Sequence, residues 1–349
     1  MMKRREFLQT ATAVAALGSV LEARQAQPAT PVRPSTLGVV QYSFSPNPNT
    51  GSAAAFLDYC HSLGAGGVQI GLGMVTDQAL DDLRRHAEQL GMYLEAIVSL
   101  PQKDHVDAFE HQVAAAKRAG ASCMRAACLS GRRYEDFSSL VQWKQFVELS
   151  RQRLQLALPV VQRNQLALGI ENHKDWTADE LADLIRHYSS EYLGVCLDTG
   201  NNVALLDDPM GVIRTLAPFA VTTHFKDVAV QEYSDGFQVS EVALGNGILD
   251  LQEVVKTVSQ HRPGAHFNLE MITRDPLKIP CLTTKYWETF PDRGGMYVAR
   301  AMTMVRNHKP AHPLQVVTSL APAARQKLEV ANVVQSIAYA RDRLGMVHS

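Results

Sequence analysis

Hydrophobic and polar positions along this chain alternate between two rhythms. Short runs of apolar and β-branched residues are each followed by a longer stretch in which apolar positions recur every three or four residues. That is the signature of βα units built around a parallel sheet. Eight short runs stand out, over residues 37–44, 66–72, 92–98, 121–127, 166–172, 193–199, 220–225 and 266–272. The stretches between them are amphipathic: over 77–90, Leu80, Leu83 and Leu90 fall on one side, and Asp81, Arg84 and Arg85 on the other. Gly64, Gly91 and Gly120 stand at helix-to-strand returns, where a helix needs a C-terminal cap.

Eight such units predict an α/β protein, a (β/α)8 TIM barrel over residues 36–308. A doubly wound sheet is the alternative. Its dinucleotide-binding form needs a Gly-rich first βα turn, and the turn here reads Ser45-Pro46-Asn47-Pro48. Beyond Asn307 the pattern changes. Residues 309–349 read as a linker containing Pro310 and Pro313, then a helical run over 323–343, a C-terminal extension packed on the barrel or on a partner subunit.

Composition adds limits. With 349 residues, 46% hydrophobic and 20% charged, the chain can bury one large core. A net charge of -1, from 34 Lys+Arg against 35 Asp+Glu, creates no field to hold nucleic acid or an anionic membrane surface. Five cysteines, none in a Cys-x-x-Cys pair, argue against a disulfide framework. The first thirty residues differ from the rest. Arg4-Arg5-Glu6-Phe7-Leu8 precedes an Ala-rich apolar run from Ala11 to Leu21, too short to span a membrane, so residues 1–30 read as a twin-arginine signal peptide. Export to the periplasm or medium of an already folded, metal-loaded enzyme follows as an expectation, with no membrane contact beyond that signal. No clean cleavage site follows, and an uncleaved anchor is the alternative.

In a barrel the carboxyl ends of the strands converge on one mouth, so function is sought there. Four consecutive strand ends carry metal-competent side chains: Glu171, Asp198, His224 and Glu270, separated by 27, 26 and 46 residues. The first two gaps each match one βα unit, and the third one unit plus an insertion. Three carboxylates and an imidazole make a hard, oxygen-rich nest for one divalent ion, Mn2+ or Mg2+, with Co2+ or Zn2+ also compatible with the histidine. An ion with open positions could hold neighbouring oxygens of a small carbohydrate and polarise a carbonyl, so that an adjacent C–H proton is removed. Further candidates lie nearby. Lys226 and His173 are substrate-contact candidates, Arg132 and Arg133 could clamp an anion, and Trp287, Tyr286 and Trp176 could wall a sugar site.

The set Ile170-Glu171-Asn172-His173, Leu197-Asp198-Thr199-Gly200-Asn201, His224-Phe225-Lys226-Asp227 and Leu244-Gly245-Asn246-Gly247 resembles the xylose-isomerase-like barrel superfamily, of the sugar epimerase and isomerase type, over residues 37–307. The resemblance implies a sugar isomerase or epimerase, with Mn2+ as the expected ion and Glu171 and Glu270 doubling as the acid/base pair. Two departures stand out. Ketose 3-epimerases carry a substrate-binding His three residues after the Asp ligand and an Arg six after the His ligand, where this chain has Asn201 and Val230. Asn201 therefore takes the substrate-binding place. The three-zinc DNA-repair endonucleases of the superfamily need more His ligands than this chain supplies. A metal-dependent lyase acting on a keto-sugar, an inosose or a 3-keto-glycoside is the closest rival, because elimination begins with the same proton abstraction. A metal-free glycosidase using Glu171 and Glu270, and a sugar binder without catalysis, are the remaining classes.

Overall fold

The computed structural model describes residues 36–46, 50–73 and 75–347. The expected signal peptide lies outside the described residues. Eight parallel strands close into a barrel: β1 (Leu37–Val40), β2 (Gly67–Gly71), β3 (Tyr93–Ile97), β4 (Met124–Ala126), β5 (Leu168–Glu171), β6 (Leu193–Asp198), β7 (Ala220–Phe225) and, after an insertion, β10 (Phe267–Leu269). Around the ring the order is β1-β10-β7-β6-β5-β4-β3-β2, so the first strand pairs with the last and no barrel edge is left open. The strands are shorter than the apolar runs, because the residues after them turn into the loops of the mouth.

The helices α1 (Ala53–Leu63), α2 (Asp77–Leu90), α3 (Val106–Arg118), the short α4 (Arg133–Asp136), α5 (Leu140–Asn164), α6 (Ala178–Tyr188), α7 (Pro209–Leu216) and α8 (Leu251–His261) follow in chain order. Their boundaries have local causes. Thr177 and Glu180 form a reciprocal capping box at the start of α6. Gly64 and Gly91 close α1 and α2 in the left-handed conformation that the pattern predicts.

Inside the barrel, the Tyr93 ring stacks on His266 at 3.7 Å between centroids. Gly38 and Gly67 make room for it, since a Cβ at either position would lie within 2.4 Å of a Tyr93 atom. This is close approach of backbone to side chain, a task only glycine fulfils.

The insertion begins directly after β7. Strands β8 (Asp227–Tyr233) and β9 (Gly236–Val242) form a hairpin, and β11 (Leu277–Ile279) joins β9 antiparallel. Part of the stretch after the eighth barrel strand, Leu277–Ile279, thus belongs to this second sheet. Together with α9 (Gly295–Asn307) it builds a second apolar core, with Val228, Val230, Phe237, Ile279, Tyr286, Phe290, Met302 and Val305 inside. The C-terminal helix α10 (Pro322–Leu344) packs on the barrel, placing Val333, Ile337 and Ala340 in the main core. Polar ties hold it at several points, among them Glu329 Oε1, which accepts from Ser45 Oγ at 2.6 Å, Ser336 Oγ, which accepts from the Leu244 N–H at 3.1 Å, and Asn332 Nδ2, which donates to Thr273 Oγ1 at 3.0 Å. No helix of the described residues is long and apolar enough to cross a membrane.

Candidate metal centre

Glu171 and Asp198 are the last residues of β5 and β6, His224 is the penultimate residue of β7, and Glu270 directly follows β10. Register brings them level, with Asp198 opposite His224 and Leu269 opposite Phe225. All four are buried, and one donor atom from each lies within 4.8 Å of the others. His224 Nδ1 is 3.3 Å from Glu171 Oε2, 3.2 Å from Glu270 Oε1 and 3.9 Å from Asp198 Oδ2. Neither His224 Nδ1 nor Asp198 Oδ2 makes a hydrogen bond. Of the two, Asp198 Oδ2 has the Lys226 ammonium 2.8 Å away, but His224 Nδ1 faces three carboxylates with no hydrogen bond, which is costly unless a proton or a metal cation joins them, and the donor set suits a hard divalent ion. The residues fit the ion that the fold implies.

The other face of His224 explains its orientation. Gln69 Nε2 donates to Glu95 Oε2 at 3.0 Å, which turns the Gln69 carbonyl toward His224 Nε2, 2.6 Å away. A carbonyl only accepts, so Nε2 carries a proton and Nδ1 faces the carboxylates. Glu95 in turn accepts from Thr222 Oγ1 (2.6 Å) and Asn268 Nδ2 (2.9 Å) and meets His266 Nδ1 at 2.9 Å. This fully partnered network anchors the ligand from below. Burial works against an imidazolium at His224, but Cys196, Glu171 and Glu270 raise its pKa well above the histidine range. Proton and metal ion thus compete for Nδ1. Substituting Gln69 by Leu removes this support and is expected to weaken Mn2+ binding by about 10–100-fold, the usual cost of losing a partner behind a ligand. Isothermal titration checks this, and unchanged affinity would mean that packing alone orients the ring.

Two buried cations offset the three carboxylates. The Arg125 guanidinium grips Glu171 Oε2 through Nε at 2.6 Å and through Nη2. Lys226 Nζ hydrogen-bonds to Glu270 Oε2 and lies 2.8 Å from Asp198 Oδ2 in an ion pair. Burial would raise both glutamates, yet Arg125 and His224 hold Glu171, and Lys226 and His224 hold Glu270, well below the usual carboxylate range.

The remaining candidates divide. Asn201 turns toward the ligands: its Nδ2 donates to Glu171 Oε1 at 2.9 Å and its backbone N–H to Asp198 Oδ1 at 2.7 Å. Lys226 is likewise tied to ligands. His173 is half-buried beside the site, and burial pushes its pKa down to about 4, so the ring is neutral; its Nδ1 has no hydrogen-bond partner among the described residues. Arg132 and Arg133 do not form a paired clamp. Arg132 pairs with Glu135 three residues on, while Arg133 is buried against Trp143 and Phe290 and bonds Glu180 and Thr289. Trp176 packs against Trp143 in the main core, and Tyr286 donates to the Ala204 carbonyl at 2.8 Å. Trp287 packs on the second core with its indole N–H on the Cys281 carbonyl, 2.9 Å away. These aromatic rings serve packing. Asp227 accepts backbone N–H bonds from Gly245, Gly247 and Leu249, so the 244–247 motif is a clamped loop beside the site.

Sequence reasoning missed Gln69, Glu95 and Arg125. A signal was present: each is a lone polar residue inside an otherwise apolar barrel strand, which a buried strand tolerates only when that group has a partner.

A closed parallel barrel with an acidic-histidine cluster at its carboxyl-terminal mouth defines a class, and comparison agrees with it. A profile of the xylose isomerase-like TIM barrel family matches residues 57–289, and the chain belongs to that family. It is similar to 3-oxo-isoapionate decarboxylase of Pectobacterium atrosepticum, at 28% identity over 233 residues covering 64% of this chain and 80% of that enzyme. Among solved structures it resembles D-psicose 3-epimerase from Clostridium cellulolyticum H10, with a TM-score of 0.55 at 14% identity over 79% of this chain and all of the other. It also resembles 3-keto-D-glucoside 4-epimerase YcjR from E. coli, with a TM-score of 0.54 at 12% identity over 77% of this chain and 99% of the other. At such identities the structural likenesses speak to the fold.

Proposed function

We propose that this protein is a divalent-metal-dependent enzyme that moves a proton at the carbon next to a carbonyl of a keto-sugar or sugar derivative, as an isomerase or epimerase. The observation that carries this reading is the convergence of His224 Nδ1 and Asp198 Oδ2, neither hydrogen-bonded, on oxygens of Glu171 and Glu270. Glu171, Asp198, His224 and Glu270 would hold the ion, with Mn2+ the expected species. Bound there, such an ion supplies Lewis acidity for a carbonyl oxygen. Glu270 is the better placed base. Its Oε2 is engaged by Lys226, while its Oε1, 3.2 Å from His224 Nδ1, accepts no hydrogen bond among the described residues, whereas both oxygens of Glu171 are engaged, by Arg125 and Asn201. Glu270 takes the proton from carbon, the electron pair left behind delocalises onto the carbonyl oxygen, and Glu171, having first taken up a proton from solvent, returns it to carbon from its own side, after which Glu270 releases its proton to solvent. Arg125 and Lys226 hold the two carboxylates in place.

A lyase reading has specific support, since the relative at 28% identity is a decarboxylase. In that case a carbon–carbon or carbon–oxygen bond to the leaving group breaks, and the carbon skeleton is not simply reprotonated. Incubating the Mn2+-loaded protein in D2O with ketoses and 3-keto-glycosides, followed by NMR, separates the outcomes. Epimerisation is expected to place deuterium in both epimers; a shortened or dehydrated product would favour the lyase, and no exchange with any member would overturn the acid/base reading. Chelation provides a second check. An ion bound only by the folded state at a hundredfold excess over Kd adds about 2.7 kcal/mol, so EDTA is expected to lower the thermal midpoint by a few degrees. An unchanged midpoint would count against the metal.

A further inference from the structure

Lys174 follows Glu171 by three residues, in the loop that leads from β5 to α6 at the mouth of the barrel. Its backbone is left-handed, with φ 60°, a conformation that costs a lysine energy and is kept only where the surroundings impose it. Here they do: the Arg133 N–H donates to the Lys174 carbonyl at 3.0 Å, and Asp175 Oδ1 receives the backbone N–H groups of His173 (3.0 Å) and Trp176 (2.8 Å). Only 5% of Lys174 is exposed. Its ammonium feels the charges of Lys226, Arg274, Glu241 and Asp198, the first and last of which belong to the candidate metal centre.

The other buried cations of the mouth are matched. Arg125 has Glu171, Lys226 has Asp198 and Glu270, and Arg274 holds Glu241 through two nitrogens. Lys174 makes neither a hydrogen bond nor an ion pair through its ammonium among the described residues. Burial, with Lys226 and Arg274 beside it, pushes its pKa down to about 8, which still leaves it charged at neutral pH. A lysine so largely buried with no counter-ion among the described residues is expensive, and its ammonium is not among the side-chain atoms sealed from solvent, so an anion can reach it.

We propose that Lys174 is the binding residue for a carboxylate on the substrate, so that the enzyme acts on keto-sugar acids. This rests on the metal-dependent reading above and narrows its substrate class. Non-reacting probes test it: gluconate and xylonate against glucitol and xylitol, titrated calorimetrically into the Mn2+-loaded protein. The wild type is expected to bind the aldonates at least ~10-fold more tightly than the matching alditols, the worth of one charge-assisted hydrogen bond. Lys174→Met and Lys174→Gln are expected to lose most of that preference with Mn2+ affinity unchanged, and Lys174→Arg to keep most of it. No preference in the wild type overturns the proposal, as does a full preference in both uncharged variants, which would assign the carboxylate to the metal alone. The two readings fail separately. A protein that binds no Mn2+ yet prefers aldonates through Lys174 would refute the metal and leave the carboxylate site standing.

Discussion

Alanine at Asp198 or at His224 is expected to abolish stoichiometric Mn2+ binding, weakening it by more than about 100-fold, beyond what loss of a supporting partner costs. Each of these residues contributes a buried donor atom that makes no hydrogen bond among the described residues, so removing either would delete a candidate ligand. Asp198 has a second duty, because its Oδ1 accepts the N–H groups of Gly200 and Asn201 and shapes the loop after β6. Asp198→Asn serves as the control, since it keeps one oxygen for that loop while losing the charge. Metal analysis after Mn2+ loading and gel filtration checks the result. One ion per chain in either alanine variant, or three in the wild type, would rule out the four-ligand mononuclear site.

Glutamine at Glu270 or Glu171 is expected to retain a substantial share of metal binding while losing on the order of 10²–10⁴ in turnover, the usual worth of a positioned acid or base. Glutamine keeps the size and one oxygen and removes the base. The larger loss is expected at Glu270. Among the described residues only one of its oxygens is hydrogen-bonded, by Lys226, while both oxygens of Glu171 are engaged, by Arg125 and Asn201. Glu171→Gln also turns an amide toward one of these two donors, so its metal affinity is expected to suffer more. A two-base mechanism carries a finer consequence: each single variant still exchanges deuterium into the epimer whose proton faces its remaining carboxylate, without inverting it. Near-wild-type turnover by both variants with metal bound would refute the assignment. His173, neutral and unpaired at Nδ1, would then lead, since Lys226 is committed to Asp198 and Glu270.

The barrel and the four candidate ligand positions were legible because both rest on chain-local regularities. A parallel barrel strand buried on both faces must be an apolar run, and each βα unit has a nearly constant length, so strand ends recur in step and metal-competent residues placed there can be counted along the chain. The 46-residue gap likewise announced an insertion. Its form was not announced, because a hairpin completed by a strand some forty residues later depends on a long-range pairing that no local pattern encodes.

What the sequence determined by itself is therefore the scaffold and the donor set: eight βα units, with Glu171, Asp198, His224 and Glu270 brought to one rim. What only the tertiary structure decided is how charge and hydrogen bonds are shared around that rim. Arg125 and Lys226 became counter-ions, Gln69 and Glu95 became the support of His224, Arg132 and the three aromatic candidates turned to ion pairing and packing, and the Lys174 ammonium was left without a partner among the described residues. The physical reason is that a buried polar group takes its role from whichever group lies within about 3 Å of it, and those neighbours come from strands and loops far apart in the chain.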